Sequence, residues 1–157
     1  LAMMLKEQLF DLNDWRIHLI ATDINPHAIA TAKAGIYREW SLRQIASRQR
    51  AQHFQPVERG WEVNSDLRRM VQWDVLNLHS PEAIARRIPW ASMDLILCRN
   101  VFIYFSFDAI AQTLQQFRMS LAQEGYLLMG HAELEGQNLD GFLSLSHPGS
   151  VVYQRRA

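Results

Sequence analysis

Met93-Asp94-Leu95-Ile96-Leu97-Cys98-Arg99-Asn100-Val101-Phe102-Ile103-Tyr104-Phe105 is an apolar strand that stops abruptly in a charged and an amide side chain before a short aromatic turn. In open α/β sheets, ligands lie outside the carboxyl ends of the strands, where loops aim side chains at them. Arg99, Asn100 and Tyr104 are therefore candidate ligand contacts. Arg16-Ile17-His18-Leu19-Ile20-Ala21-Thr22-Asp23 makes the same passage from apolar strand to acid, directly before Asn25-Pro26. That pair supplies an N-cap and a first-turn proline for a helix ending near Gly35.

The same alternation continues outward from these two strands. Val71-Gln72-Trp73-Asp74-Val75-Leu76 reads as a strand with Asn77-Leu78 at its end, and Ser80-Pro81-Glu82 opens a helix by the same capping logic. Phe107, Ile110, Leu114, Phe117 and Leu121 recur at alternating steps of three and four behind the cap Ser106, which predicts an amphipathic helix. Gly125 to Gly130 forms a further strand, and Phe142 to Leu145 pairs with Val151 to Tyr153 across the turn His147-Pro148-Gly149-Ser150. Strands alternating with helices predict an α/β fold with a mostly parallel sheet, closed by an antiparallel C-terminal hairpin. At the other end, Leu1, Met4, Leu5, Leu9 and Phe10 share one helical face with no capping residue before them, so the chain is expected to begin inside a helix. Between Tyr37 and Arg69 the pattern breaks into a polar helical segment (Leu42, Ile45, Phe54) and short pieces around Val57, Trp61 and Val63, with a turn at Gly60. This reads as an insertion into the sheet.

Composition narrows the classes. A length of 157 residues suits one domain, and 48% apolar residues supply its core. The 16 basic and 16 acidic residues cancel, which leaves no global field to attract nucleic acid or an anionic membrane. No apolar run approaches the ~20 residues of a spanning helix, and the start lacks a basic leader followed by a cleavage site. One cysteine, Cys98, at the end of an apolar strand, points to a reduced, cytoplasmic protein and to a packed thiol rather than an activated one. No histidine has a second histidine or cysteine at ligand spacing and no serine stands in a nucleophile elbow, so no metal site or serine triad is expected, and the absence of Gly-x-Gly-x-x-Gly speaks against a dinucleotide-dependent dehydrogenase.

Four motifs follow one another along nearly the whole chain: Ala21-Thr22-Asp23-Ile24-Asn25, Ala34-Gly35-Ile36-Tyr37-Arg38, Cys98 to Phe105, and Gly130-His131-Ala132-Glu133. In them the chain resembles the CheR-type chemotaxis receptor methyltransferases, which transfer a methyl group from S-adenosylmethionine to receptor glutamates. The resemblance implies a Rossmann-like class I methyltransferase fold, protein-glutamate O-methyltransferase activity, S-adenosylmethionine as cofactor and S-adenosylhomocysteine as product. It implies the cytoplasmic helices of methyl-accepting chemoreceptors as partners. In the family, the first strand and its glycine-bearing, acidic cofactor loop lie upstream of the first helix, so residues 1–157 are expected to form an N-terminally truncated methyltransferase domain. The insertion, at about residues 54–70, corresponds to the family's small antiparallel β subdomain, which some members use to grip a tethering peptide at the receptor's carboxyl end. The loop Gln55-Pro56-Val57-Glu58-Arg59-Gly60 looks shorter and poorer in glycine than in those members, which argues against tethering here.

The resemblance also assigns residues. Asp23 would accept hydrogen bonds from both ribose hydroxyls, its alternative being a helix-capping carboxylate. Asn77 would read the adenine edge and Leu78 pack on its face, although Asn77 alone reads as a turn residue. Arg99 and Asn100 match the cofactor-proximal pair, and Tyr104 the tyrosine near the sulfonium; Tyr104 would line the reaction cleft and Arg99 hold the incoming carboxylate. Their alternatives are an ion pair from Arg99 to Asp94 or Glu133, and a core tyrosine. Ala132 stands where the family usually has serine. Arg43, Arg48, Arg50, Arg59, Arg68 and Arg69 would either meet an acidic receptor helix or form a solvated face. The rival functional readings are a non-catalytic CheR-like module that binds cofactor or a signalling partner, and a nucleotide-dependent oxidoreductase.

Overall fold

Three of the predicted helix starts carry their caps in the computed structural model, which describes residues 1–130, 133–147 and 150–156. Asn25 Oδ1 accepts the His27 N–H (2.9 Å) ahead of α2 (Pro26–Ala34), Ser80 accepts from Ala83 ahead of α5 (Pro81–Arg87), and Ser106 accepts from Ala109 ahead of α6 (Phe107–Ser120). Each such cap satisfies one of the N–H groups that a helix start leaves unpaired, and is worth about 1 kcal/mol. Gly35 closes α2 in the left-handed region (φ 68°), a conformation open to glycine at little cost. The chain divides into two compact units, Leu1–Leu76 and Asn77–Ala157.

In the first unit, β1 (Leu19–Asp23) pairs in parallel with β5 (Val71–Val75), and α2 packs on both. A separate antiparallel sheet joins β2 (Ile36–Tyr37), β4 (Gly60–Val63) and β3 (Phe54–Val57) in the order β2-β4-β3. Two short helices flank its strands, α3 (Ser47–His53) and α4 (Ser65–Arg69). Tyr37 meets Phe54 edge-on at 5.8 Å, and Leu42, Phe54 and Leu67 are buried. The first helix, α1 (Ala2–Gln8), departs from its predicted stripe. Leu9 turns extended, Phe10 stands fully exposed, and no residue of α1 is buried. Polar contacts hold it instead: Glu7 Oε1 lies 2.7 Å from Nε2 of buried His53, Gln49 donates to Glu7 Oε2 (3.0 Å), and Lys6 pairs with Asp66.

In the second unit, β6 (Met93–Cys98) runs parallel to β7 (Leu121–Met129), and β9 (Ser150–Arg155) pairs antiparallel with both β7 and β8 (Phe142–His147), giving the order β6-β7-β9-β8. The predicted terminal hairpin is present, while Pro148 and Gly149 of its turn lie outside the described residues. Cys98, Phe102, Leu114, Phe117, Leu121, Leu127, Met129, Leu134 and Phe142 form one core beneath α6. Phe107, predicted on the buried face of α6, is 59% exposed because it opens the first turn, ahead of the core-facing residues. Leu121, counted with that face, instead begins β7 and is fully buried opposite Met93.

Candidate functional site

Asp23 ends β1 with its side chain exposed. The backbone there is fixed from two sides, by the parallel register with Val75 and by the Leu76 N–H donating to the Asp23 carbonyl (3.0 Å). One carboxylate oxygen, Oδ1, accepts the Asn25 N–H (2.8 Å), and Asn25 in turn caps α2. The capping alternative for Asp23 therefore falls to Asn25. Oδ2 of Asp23 has no protein partner among the described residues, so the carboxylate retains acceptor capacity for a ligand hydroxyl.

The other five candidates lie in the second unit. Asn77 Oδ1 accepts the His79 N–H (2.9 Å), and the Asn77 carbonyl accepts from Ser80 (3.1 Å), a turn that engages the oxygen of the side chain and not its amide NH2. Leu78 is half-buried against the core that holds Cys98 and Phe102. Arg99 and Asn100 are exposed directly after β6, and Asn100 stands in the left-handed region at φ 60°. A single 3-10 turn, Phe102–Tyr104, follows, in which Phe102 is buried against Phe105 and Phe117 while Tyr104 is 82% exposed. The core alternative for Tyr104 is thus corrected: buried Phe102 anchors the turn, and the tyrosine two residues on points away from that core. Arg99 makes no ion pair with Asp94 or Glu133 among the described residues, because Glu133 is engaged elsewhere.

Glu133 is buried, and its carboxylate takes three successive backbone N–H groups at 2.9 Å each: Asn100 on Oε2, Val101 and Phe102 on Oε1. A left-handed residue followed by a right-handed one aims consecutive N–H groups at one point, a backbone nest for an anion. Asn100 and Val101 (φ −108°, ψ −45°) have this form, with Glu133 as the anion. The sequence offered Glu133 as part of a motif and as an ion-pair partner for Arg99, not as a backbone acceptor; the available signals were an asparagine, which tolerates φ > 0, and an acid three residues after a glycine. His131 and Ala132 of that motif lie outside the described residues. Burial, and next the charge of Glu133, push the Cys98 thiol up to about 12, so it is core and not a nucleophile.

Several arginines of the insertion are engaged within their own unit rather than free for a partner. Arg43 stacks on Trp40 (3.6 Å to the ring centroid), Arg68 reaches Glu62 (3.0 Å), and Arg50 stacks on Trp61 while its guanidinium pairs with Glu39 (2.6 Å). Trp61 Nε1 also donates to Glu39 (2.8 Å), and these bonds, Arg50's first, hold the Glu39 carboxyl below its ordinary value. No group of three or more metal-ligating side chains occurs among the described residues.

Comparison with known proteins fits this arrangement of parallel strands ending in polar loops. A crystal structure of the CurJ carbon methyltransferase superposes with a TM-score of 0.52 at 16% identity, covering 89% of this chain and 42% of that one, a likeness of fold. The fold is thus the Rossmann-like one of class I methyltransferases. A chemotaxis protein methyltransferase of Vibrio anguillarum is 34% identical over 140 residues, 88% of this chain and 49% of its own length. A probable chemotaxis protein methyltransferase of Rhizobium etli is 31% identical over 137 residues, 85% of this chain and 49% of its own. A probable biofilm formation methyltransferase of Pseudomonas aeruginosa, WspC, is 27% identical, over 92% of this chain and 33% of its own. The chain spans about half the length, or less, of these relatives. The family model described as "CheR methyltransferase, SAM binding domain" matches residues 1–148, so this chain belongs to that family, whose cofactor is S-adenosylmethionine.

Proposed function

We propose that this chain is the cofactor-binding domain of a cytoplasmic protein-glutamate O-methyltransferase that modifies the helices of chemoreceptors. The observation that carries the reading is the family match over residues 1–148, joined to a loop after β6 that offers a cation, an amide and an exposed tyrosine together. Taken singly, each candidate suits one part of S-adenosylmethionine. Asp23 has a spare carboxylate oxygen for ribose hydroxyls, Asn77 a spare amide NH2 for an adenine edge, and Leu78 an apolar face for the ring. The face of Tyr104 attracts a nearby cation, worth about 0.5–2 kcal/mol depending on desolvation, which suits a sulfonium.

S-Adenosylmethionine supplies an electrophilic methyl group on that sulfonium. A glutamate side chain is ionised at neutral pH, its carboxyl titrating near ~4.3, so the protein needs no general base. The task of the chain is positioning. Arg99 would hold one oxygen of the incoming carboxylate while the other faces the methyl carbon, and Asn100 and Tyr104 would bound the approach. Because the carboxylate and the sulfonium carry opposite charges that methyl transfer would neutralise, residues that position the carboxylate and exclude water would favour the transition state over the solvated reactants.

The test is transfer of labelled methyl from S-adenosylmethionine to receptor-bearing membranes by the full-length protein, followed by mild base. Label released as methanol supports a glutamate ester. Base-stable label would refute the carboxylate substrate, and no label despite cofactor binding would select the non-catalytic module.

A further inference from the structure

We propose that Glu133 is the positioning residue of the reacting loop: its buried carboxylate fills the backbone nest of residues 100–102 and thereby presents Arg99, Asn100 and Tyr104 to cofactor and substrate. The inference rests on the methyltransferase reading above and concerns a buried residue outside the candidate ligand contacts.

Three observations converge. The acceptor is an anion with both oxygens used, Oε1 by Val101 and Phe102 and Oε2 by Asn100. A charged acceptor makes hydrogen bonds roughly twice as strong as a neutral one, and this one lies in a buried place where an unmatched carboxylate is costly. The bonded segment includes the one residue of the loop with φ > 0, Asn100, whose left-handed backbone separates the exposed Arg99 from the buried Phe102. Without an anion, three N–H groups aimed at one point repel each other, and the loop loses its reason to hold that form. Space for the carboxylate is also built in. A Cβ at Gly130 would overlap Glu133 Oε2, so the glycine directly after β7 keeps open the place from which Glu133 reaches the nest.

The chemistry makes Glu133→Gln a sharp variant. The amide oxygen can keep the Val101 and Phe102 bonds, but an NH2 then faces the Asn100 N–H, donor against donor. Volume and most of the packing survive while the grip on Asn100 is lost. The full-length protein is compared with Glu133→Gln and with Phe142→Leu, a core change in β8 at the far end of the sheet from β6, as a reference for general loss of stability. Readouts are amide hydrogen exchange at residues 100–102, calorimetric binding of S-adenosylhomocysteine, and kcat for methyl transfer.

The expected result for Glu133→Gln is exchange at least tenfold faster at Asn100 and a fall in kcat of at least tenfold. Phe142→Leu is expected to lower the melting temperature at least as much while leaving both of these near the wild-type values. Unchanged exchange in Glu133→Gln overturns the nest. Faster exchange with wild-type kcat overturns its role in the reaction, as does an equal loss of kcat in Phe142→Leu. A wild-type protein that neither binds S-adenosylhomocysteine nor transfers methyl instead overturns the functional reading and the catalytic half of this proposal, while exchange still decides whether Glu133 holds the loop.

Discussion

Asp23, Arg99, Asn100 and Tyr104 were legible as candidates because each follows an apolar run whose end is polar, a pattern visible one residue at a time. Glu133 was not, because its role lies in three N–H groups contributed by residues more than thirty positions away in sequence. Tyr104 illustrates the same limit in reverse: Ile103-Tyr104-Phe105 reads as core on hydrophobicity, and only the 3-10 turn sends Phe102 inward and the tyrosine outward. Cys98 behaves as its position in an apolar strand suggests. With its thiol pushed up to about 12 by burial and by the charge of Glu133, it stays protonated throughout the physiological range. Iodoacetamide at about pH 8, below the ordinary thiol value of ~8.5, is therefore expected to leave Cys98 unmodified in the native protein and to alkylate it on unfolding in denaturant. Mass spectrometry that finds rapid alkylation of the folded protein would contradict this.

Caps and periodicity located α2, α5 and α6 closely, since a side-chain acceptor and an N1 proline act within one turn. Shorter elements escaped. α4 spans five residues and β2 two, too few for a periodic signal, and β2 becomes a strand only by pairing with β4. β7 starts at Leu121 rather than Gly125 because α6 passes into it directly, with Glu124 at φ 61° and a register shift opposite β6 absorbing the join. The small antiparallel sheet carries its own electrostatic tie, Glu39 bound by Arg50 and by Trp61 of β4. Because the folded carboxyl titrates below its ordinary value, this contribution is fully present above the unfolded value of ~4.3 and is lost as pH falls through the folded one. Glu39→Gln should therefore lower the melting temperature at neutral pH and flatten its decline between about pH 5 and pH 3. Calorimetric melts of the two proteins that run parallel through that interval would contradict the assignment.

Across the whole chain, the α/β class and the antiparallel ending were readable from the order of strands and helices, whereas the grouping of strands was not. The sequence suggested one mostly parallel sheet with a small antiparallel subdomain inserted at about residues 54–70; the described residues form the small sheet β2-β4-β3 and pair the remaining strands as β1-β5 and β6-β7-β9-β8, because partners are chosen by long-range pairing that periodicity does not encode. On β6, Leu95 and Leu97 are exposed, the latter by 50%, although parallel strands are ordinarily covered on both faces. The family match gives the cofactor, and the proposed way of holding it depends most on the acid that ends β1. Calorimetric titration of S-adenosylhomocysteine into the full-length protein and its Asp23→Ala variant tests this directly. Hydrogen bonds to a charged acceptor contribute about 1.5–3 kcal/mol each, so the two ribose bonds together predict a loss of affinity of about 100-fold or more. Undiminished affinity in Asp23→Ala would contradict it.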